Sequence, residues 1–562
     1  MLAVLSSALA AQSTTLVSRD SNGVQGDYHS DAPALSADGR YVVFSSQASN
    51  LVPNDNNSTE DVFLHDRVTG ATVCVSLGLG GVPSLGQAST PCMSSDARYI
   101  AFWSNAWNIV SGNVGMLNDI FVRDMQTGVV TRISDAPGGN DGNSTSYGPT
   151  MSADGRFVAF HSYSSNLVSG DTNNVGDVFL WDMQNPILRR VSVTPSGGNG
   201  NGHSVNCSLS SDGSTIAFAS LANNLVTGDT NAAKDIFVRD LATGITSRVS
   251  VDSAGVQGNG ASDFPSISAD GRFVAFESEA TNLVAGDTSG MLDIFVHDRG
   301  TGATTRASVS STGIQGHDDS SGAHISGDGR FVVFLSVAAN LVVGDTNVRK
   351  DHFLRDRATG MTTRVSVDSA GNQGNHICYG SAISQDGLVI AFSSMSTNLV
   401  PNDTNGRRDI FVRERFERPT TYCTSGVTTN GCVPSITTTG IPSATGSSGF
   451  TVHVTSVEGL KTGIVFYGIH GRVGSPWASG STSFLCVKAP TQRTPAQNSG
   501  GTLNACDGSL SLDLLAYFAA NPAALGSPIA MFERMNAQAW FRDPPAPKTT
   551  NLSNAIEFDV VP

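Results

Sequence analysis

PSISADGRFVAFES, residues 265–278, decides the fold. It reads as two strand-like runs, PSIS (265–268) and RFVAFES (272–278), joined through SADGR, where Asp-Gly makes a hairpin turn because glycine tolerates positive φ. Two further runs follow, DIFVHD (293–298) and ATTRASVS (303–310), joined by a second glycine turn, DRGTG. The same unit recurs along the chain. Asp-Gly-Arg at 38–40 returns at 154–156, 270–272 and 328–330, and in degraded form at 96–98, 212–214 and 386–388, always at an interval of 58. Aligned on that interval, the columns of Ser36, Asp38, Phe44, Asn50, Asp61 and Phe63 are identical in all seven copies. Four antiparallel strands per unit, repeated seven times, predict an all-β chain folded as a seven-bladed β-propeller. The two Phe columns supply 14 of the 26 phenylalanines and are read as inter-blade packing, at ~1.5–3 kcal/mol per buried side chain.

Ring closure is legible as well. The fourth strands end on Ser76, Ser134, Ser192, Ser250, Ser308 and Ser366, and the column continues one repeat earlier at Ser18, in TTLVS. The seventh unit ends at DIFVRERFE (409–417) and runs into Arg418-Pro419 without a fourth strand. Strand 14–18 is therefore expected to complete the last blade beside 409–414, leaving no open sheet edge. The propeller is assigned to 13–418.

The units resemble the TolB-type, WD-like β-propeller repeats of exported bacterial proteins, over about 14–418. The resemblance implies the fold and leaves function open, since such propellers include binding scaffolds, lyases and peptidase gates. Residues 1–12, MLAVLSSALAAQ, read as the end of a secretory signal, with a short apolar run and the small-residue pattern Ala8-Leu9-Ala10. The eight cysteines are an even number, and export would permit disulfides. A periplasmic, cell-surface or secreted location is expected.

Beyond Pro419 the period stops. Residues 419–562 carry Cys423, Cys432, Cys486 and Cys506 with several strand-like runs, such as FTVHVTSV and GIVFYGI, and a short helix or strand near 510–519. A β-sandwich-like domain is expected, with two disulfides most simply paired Cys423–Cys432 and Cys486–Cys506, although four cysteines allow three pairings. The domain resembles a small module appended to various exported bacterial proteins, a likeness that implies no activity. Cys74, Cys92, Cys207 and Cys378 fall in four different repeat columns and are read as buried small side chains, not a metal set.

Composition excludes other classes. A formal net charge of −15 and a pI near 5.1 lack the basic footprint of nucleic-acid binding. No stretch approaches the ~20 apolar residues of a membrane span. A monomer is expected.

Chemistry is expected on the face that carries the loops before strands one and three. The loop before strand one differs from unit to unit, and divergent columns in a repeat protein are free to specify a ligand. It offers Tyr28, His29, Asp31, Tyr147, His203, Asp263, Phe264, His317, Asp318, Asp319, His376 and Tyr379 around the channel mouth. Aromatics beside carboxylates and imidazoles suit a polar ligand such as a sugar, a peptide or a metal-bridged anion; an ordinary solvated rim is the alternative.

The loop before strand three, N-L-V-x-G-D-T-N-x-x-x-D, resembles part of a calcium loop. Its candidate oxygen ligands are Asp55, Asn57 and Asp61; Asp171, Asn173 and Asp177; Asp229, Asn231 and Asp235; Asp345, Asn347 and Asp351; and Asp403, Asn405 and Asp409. The bidentate Glu of such loops is missing, so Asx-turns and backbone pairing are the competing explanation. Unit two, with Asn113 and Gly115 at the central positions, should bind no metal.

G-x-S-x-G, H-E-x-x-H, Walker and dinucleotide motifs are absent. The leading expectation is an exported, non-enzymatic propeller that binds a protein or glycan through its loop-rich face. The alternatives are a metal-assisted polysaccharide lyase or hydrolase using His29, His203, His317 and His376 at the channel mouth, and a calcium-stabilised structural protein of the cell surface. Calcium is the one candidate cofactor.

Overall fold

The computed structural model describes residues 12–560 apart from 114, 289, 416–419, 424, 441, 445, 447, 478–482, 529–533 and 544–549. The expected export signal falls outside the described residues except for Gln12, as does the expected boundary at 418–419. The chain divides into two compact units, Ser13–Arg415 and one holding the residues after Arg415.

The first unit contains seven four-stranded antiparallel sheets. Blade three stands for the others, with Ser146–Met151, Phe157–Ser162, Asp177–Asp182 and Ile187–Arg190 in that spatial order. The seventh sheet joins Cys378–Ile383, Val389–Ser394 and Asp409–Glu414 to Ser13–Leu16, with Ser13 opposite Glu414 and Leu16 opposite Phe411. The opening segment of the chain thus supplies the last strand, and the ring has no free edge at that junction.

The identical columns have physical reasons. Ser36 Oγ donates to Asp38 Oδ1 (2.7 Å) and accepts from Tyr41 N (2.9 Å), while Arg40 N donates to Asp38 Oδ1 (2.9 Å), which locks the hairpin around Gly39 at φ +63°. The 14 phenylalanines of the Phe44 and Phe63 columns are all 0% exposed. Within each blade they face one another across two strands, as Phe160 and Phe179 do with ring centroids 5.9 Å apart. Asp61 and its counterparts are buried and accept a hydrogen bond from the fourth-strand serine, Ser76 Oγ in blade one (2.5 Å). In blade seven that serine is Ser18, 2.6 Å from Asp409 Oδ1. Asn50 accepts from Asp27 N (2.9 Å) and donates to Gln25 O (2.9 Å), tying the two long loops together.

The second unit packs a sheet that includes Thr462–Gly468, Arg534–Arg542 and Thr550–Asp559 against a smaller one of Ser435–Thr439, Thr451–Val457 and Gly508–Asp513. Ile436, Val452, Val465, Tyr467, Phe541 and Phe558 share the core between them, which makes the unit a sandwich. The ambiguous 510–519 stretch is both elements in turn, a strand to Asp513 and then helix Leu514–Ala520, capped by Asp513 Oδ1 accepting from Ala516 N (3.0 Å). The disulfides are Cys423–Cys486 and Cys432–Cys506, which corrects the simplest pairing by sequence proximity. Sheet topology overrides proximity here. Thr420–Tyr422 pairs along Thr550–Asp559, and Tyr422 Oη donates to Cys486 O (3.1 Å), which carries Cys423 to Cys486. Two disulfides fit an oxidising compartment. Among the described residues no helix is long and apolar enough to cross a membrane.

Candidate functional site at the channel mouth

The first strand of each blade lies nearest the axis and breaks register against the second, between Asp31 and Ala34 in blade one and between Asp263 and Ser266 in blade five. These are β-bulges, which re-aim side chains. In six of the blades the residue at the bulge takes positive φ even where it is not glycine: Ala32 at 50°, Thr90 at 44°, Asn206 at 50° and Phe264 at 47°. Left-handed backbone at a bulky side chain is strained, and such strain concentrates at functional sites. Phe264 is also 52% exposed.

The bulges open a cavity of about 580 Å³ lined from all seven blades, including Thr90, Trp103, Tyr147, His161, Phe264 and His324. Toward the tight-turn face the channel narrows to about 160 Å³ between the Leu35 and Ala37 columns. Gln385 crosses that end and donates through Nε2 to Ser95 Oγ (3.3 Å) and Ser211 Oγ (3.1 Å), which belong to blades two and four. Around it, six main-chain hydrogen bonds run from Ala37 N to Ser95 O and on, blade by blade, to Gln385 O. The site is therefore a mouth with a polar plug beneath it.

Two sectors of the mouth differ in chemistry. On blades two to four an aromatic run passes from Trp103 to Tyr147 (5.7 Å between centroids), His161 (5.9 Å), Tyr163 (6.2 Å) and His203 (5.7 Å). His161 is 8% exposed, and burial pushes its pKa down to about 4, so the ring is neutral at pH 7. Gly148 lies against it, and a Cβ there would come within 3.2 Å of the imidazole. On blades four to six the groups are charged. Lys234 Nζ sits 2.6 Å from Asp263 Oδ2, whose partner oxygen accepts from Asn206 Nδ2 (2.9 Å). Glu277, opposite Asp263 across the strands, is buried and accepts from Gly322 N (3.0 Å). Burial raises its pKa, reinforced by the charge of Asp263 and opposed by Lys234 and Lys350.

Of the twelve rim residues read from sequence, Tyr147 and Phe264 line the cavity itself. Asp31 and Tyr379 form a cluster beside it through Arg408, which is ion-paired to Asp31 and stacked 3.7 Å over the Tyr379 ring. Tyr28 lies under Arg407 and edge-on to His29. His29 Nδ1 accepts from Arg408 N (3.0 Å), His203 Nδ1 from Gly176 N (2.8 Å) and His376 Nδ1 from Ile377 N (2.9 Å). His317, Asp318 and Asp319 are held in the blade-six loop, where His317 N donates to Asn340 and Asp319 Oδ1 accepts from Leu292 N. The four loop histidines stay in separate local contacts, and among the described residues no three His, Cys, Asp or Glu gather to hold a metal.

Trp103, His161, Glu277 and Lys234 were not singled out from sequence. For the first three a signal was present: the column reads Ser45, Trp103, His161, Ala219, Glu277, Leu335 and Ser393, as divergent as the loops.

The Asp-rich loops are built around arginine. Arg190 Nη1 lies 3.0 Å from Asp171 and 3.4 Å from Asp177, and Arg248, Arg306 and Arg364 repeat the contact with Asp229 and Asp235, Asp287 and Asp293, and Asp345 and Asp351. Asn173 turns its amide, not its carbonyl, to Asp177 Oδ2 (2.9 Å), and Asn231 and Asn347 do likewise to Asp235 and Asp351. Blade two keeps the arginine, Arg132, with Asp119 and Asp141, while Asn113 turns its amide to Ala106 O. Blades one and seven have no arginine there. Burial, reinforced by the neighbouring carboxylate, pushes Asp55 beside Asp61, and Asp409 beside Asp403, up to about 6. Cys74, Cys92, Cys207 and Cys378 remain free thiols, and burial pushes all four up to about 12.

A larger cavity, about 650 Å³, lies in the second unit between Phe466, Trp477, Arg493, Trp540 and Arg542. Trp477 and Thr550 on its wall directly adjoin residues 478–482 and 544–549, which are outside the described set, so no site is assigned to it.

No family model matches the chain, and no curated protein does. Among solved structures it is similar to TolB from Acinetobacter baumannii (15% identity, TM-score 0.32, 68% of this chain and 82% of that one). It is also similar to a prolyl endopeptidase (10% identity, TM-score 0.43, 76% of this chain and 55% of that one). At these TM-scores neither likeness carries an inference about activity or partner.

Proposed function

We propose that the chain is an exported binding protein that takes a glycan in the wide mouth of its propeller. The observation that carries this reading is the aromatic run whose members Trp103, Tyr147 and His161 line the mouth, together with the charged group of Lys234, Asp263 and Glu277 that is hydrogen-bonded to Asn206 and Gly322 of its lining. Aromatic faces take the apolar C–H faces of sugar rings, and carboxylates and ammonium groups take their hydroxyls. A volume of about 580 Å³ falls within the ~300–1,000 Å³ of small-ligand sites. Export is supported by the two disulfides of the second unit. Cleavage of the bound chain is a second reading, favoured by the buried carboxyl of Glu277 with its raised pKa beside Asp263, an arrangement suited to acid catalysis.

The test is a screen of the full chain against glycan and peptide arrays. Binding to a glycan class is expected, with Trp103→Ala weakening it at least ~10-fold at an unchanged melting temperature, as for an aromatic hot spot. Binding to peptides alone, or a Trp103→Ala variant that binds as well as wild type, would contradict it. Release of new reducing ends that stops in Glu277→Gln would decide for the second reading.

A further inference from the structure

The fourth-strand column opposite the buried Phe63 column reads Cys74, Arg132, Arg190, Arg248, Arg306, Arg364 and, in blade seven, Leu16. In blades three to six the arginine places a cation between two buried carboxylates of the loop before strand three, at 3.0–4.0 Å. Blade seven retains the carboxylates, Asp403 (8% exposed) and Asp409 (0%), but has lost the guanidinium. What surrounds the pair is neutral. Gln25 Nε2 donates to Asp403 Oδ1 (2.8 Å) and Asp409 Oδ2 (2.9 Å), Ser18 Oγ donates to Asp409 Oδ1 (2.6 Å), and Asn405 Nδ2 donates to Asp409 Oδ2 (2.9 Å). Asp403 Oδ2 is buried with no hydrogen-bond partner. The two nearest arginines in sequence are committed elsewhere, Arg407 over the Tyr28 ring and Arg408 to Asp31.

Two buried carboxylates without a counter-charge are costly, and four other copies of the same loop meet that cost with a cation. We infer that blade seven takes a calcium ion in the place its sister blades give to arginine, held by Asp403 and Asp409. The donors are all oxygen, which selects a hard cation, and the irregular loop suits calcium's tolerant geometry better than the strict octahedron of magnesium. Gln25 supplies a further oxygen when its amide is turned. Blade one also lacks the arginine, but its Asp55 is only half-buried and none of its carboxylate oxygens is both buried and without a partner, so the assignment is to blade seven. The position has a structural consequence. Ser18 and Gln25 belong to the opening segment and Asp403 and Asp409 to the seventh unit, so the ion fastens the two ends of the ring.

The experiment uses the full chain with calcium chloride and with EDTA, read by isothermal titration and by thermal unfolding. Calcium is expected to raise the midpoint by about 3 °C at a hundredfold excess over its dissociation constant. Leu16→Arg, which restores the sister-blade arrangement, is expected to bind one calcium fewer per chain and to lose that rise; Asp403→Asn should behave likewise and covers the case in which Leu16→Arg fails to fold. The inference is overturned if wild type neither binds calcium nor shifts, or if Asp403→Asn binds as many ions as wild type. A midpoint that rises on acidification but not with calcium also overturns it, since the pair would then be relieved by a proton.

Discussion

A chain that begins at Asp20, and so lacks Ser13–Arg19, is expected to melt about 4–7 °C below the intact protein and to associate on heating. The removed strand buries Thr14, Val17 and Ser18 to 5%, 1% and 0% exposure. Returning Val17 to water costs ~1.5–3 kcal/mol. Asp409 loses the hydroxyl of Ser18 and stays buried, at ~1–3 kcal/mol. Thr14 Oγ1 also donates to Val367 O (2.6 Å) and accepts from Arg413 Nη1 (3.0 Å), so the strand ties blade six to blade seven. A total of about 3–6 kcal/mol, spread over a unfolding entropy of ~2.1 cal/mol/K for each propeller residue, gives the stated shift. The strand Asp409–Glu414 would then present an unpaired edge, which accounts for the association. Differential scanning calorimetry and light scattering on the two chains are the measurements. Coincident transitions would mean that the ring does not depend on its opening strand.

The propeller was legible because repetition turns local chemistry into columns. Ser36 and Asp38 build the same turn seven times, Phe44 and Phe63 fill the same gap seven times, and Ser18 stood in the fourth-strand column before any pairing was known. The mouth was half legible. Divergence pointed to the loop before strand one, yet the bulge after Asp31 and its counterparts re-aims the chain, so the cavity takes Tyr147 and Phe264 while His29, His203 and His376 turn to backbone amides. Trp103 and His161 were hidden by their neighbours: the adjacent Phe102 and Phe160 mark the strand as packing, although successive side chains of a strand point to opposite faces. The acidic loops were legible only in part, because their charge partners lie in another column. Their likeness to a calcium loop is real in the acids themselves, but the arginine that answers them lies on the fourth strand, as in TSRVS (246–250) and TTRVS (362–366). The disulfides depended on which strands became neighbours across the sandwich, and no spacing encodes that.

That arginine gives the second large effect. Arg190→Ala is expected to destabilise the protein by about 3–5 kcal/mol, the range for breaking a buried ion pair from one side. The Arg190 side chain is 8% exposed and the two carboxylates it faces are at 1% and 0%, so neither acid can reach water when the guanidinium is gone. The loss comes from the charges left behind more than from the contact removed, and this separates the present explanation from simple packing. Replacing all three together, as Arg190→Leu with Asp171→Asn and Asp177→Asn, is expected to recover most of the stability, because an uncharged set of similar volume has no desolvation cost to offset. Arg98→Ala serves as the contrast. Its ion pair with Asp124 is 3.0 Å long, but the arginine side chain is 40% exposed, and the midpoint should hardly move. Urea unfolding of the three variants beside wild type reads all of this. If Arg190→Ala and the triple variant were equally destabilised, the arginine would be acting as a space-filling stem, and the inference that its absence in blade seven leaves a demand for a cation would lose its physical basis.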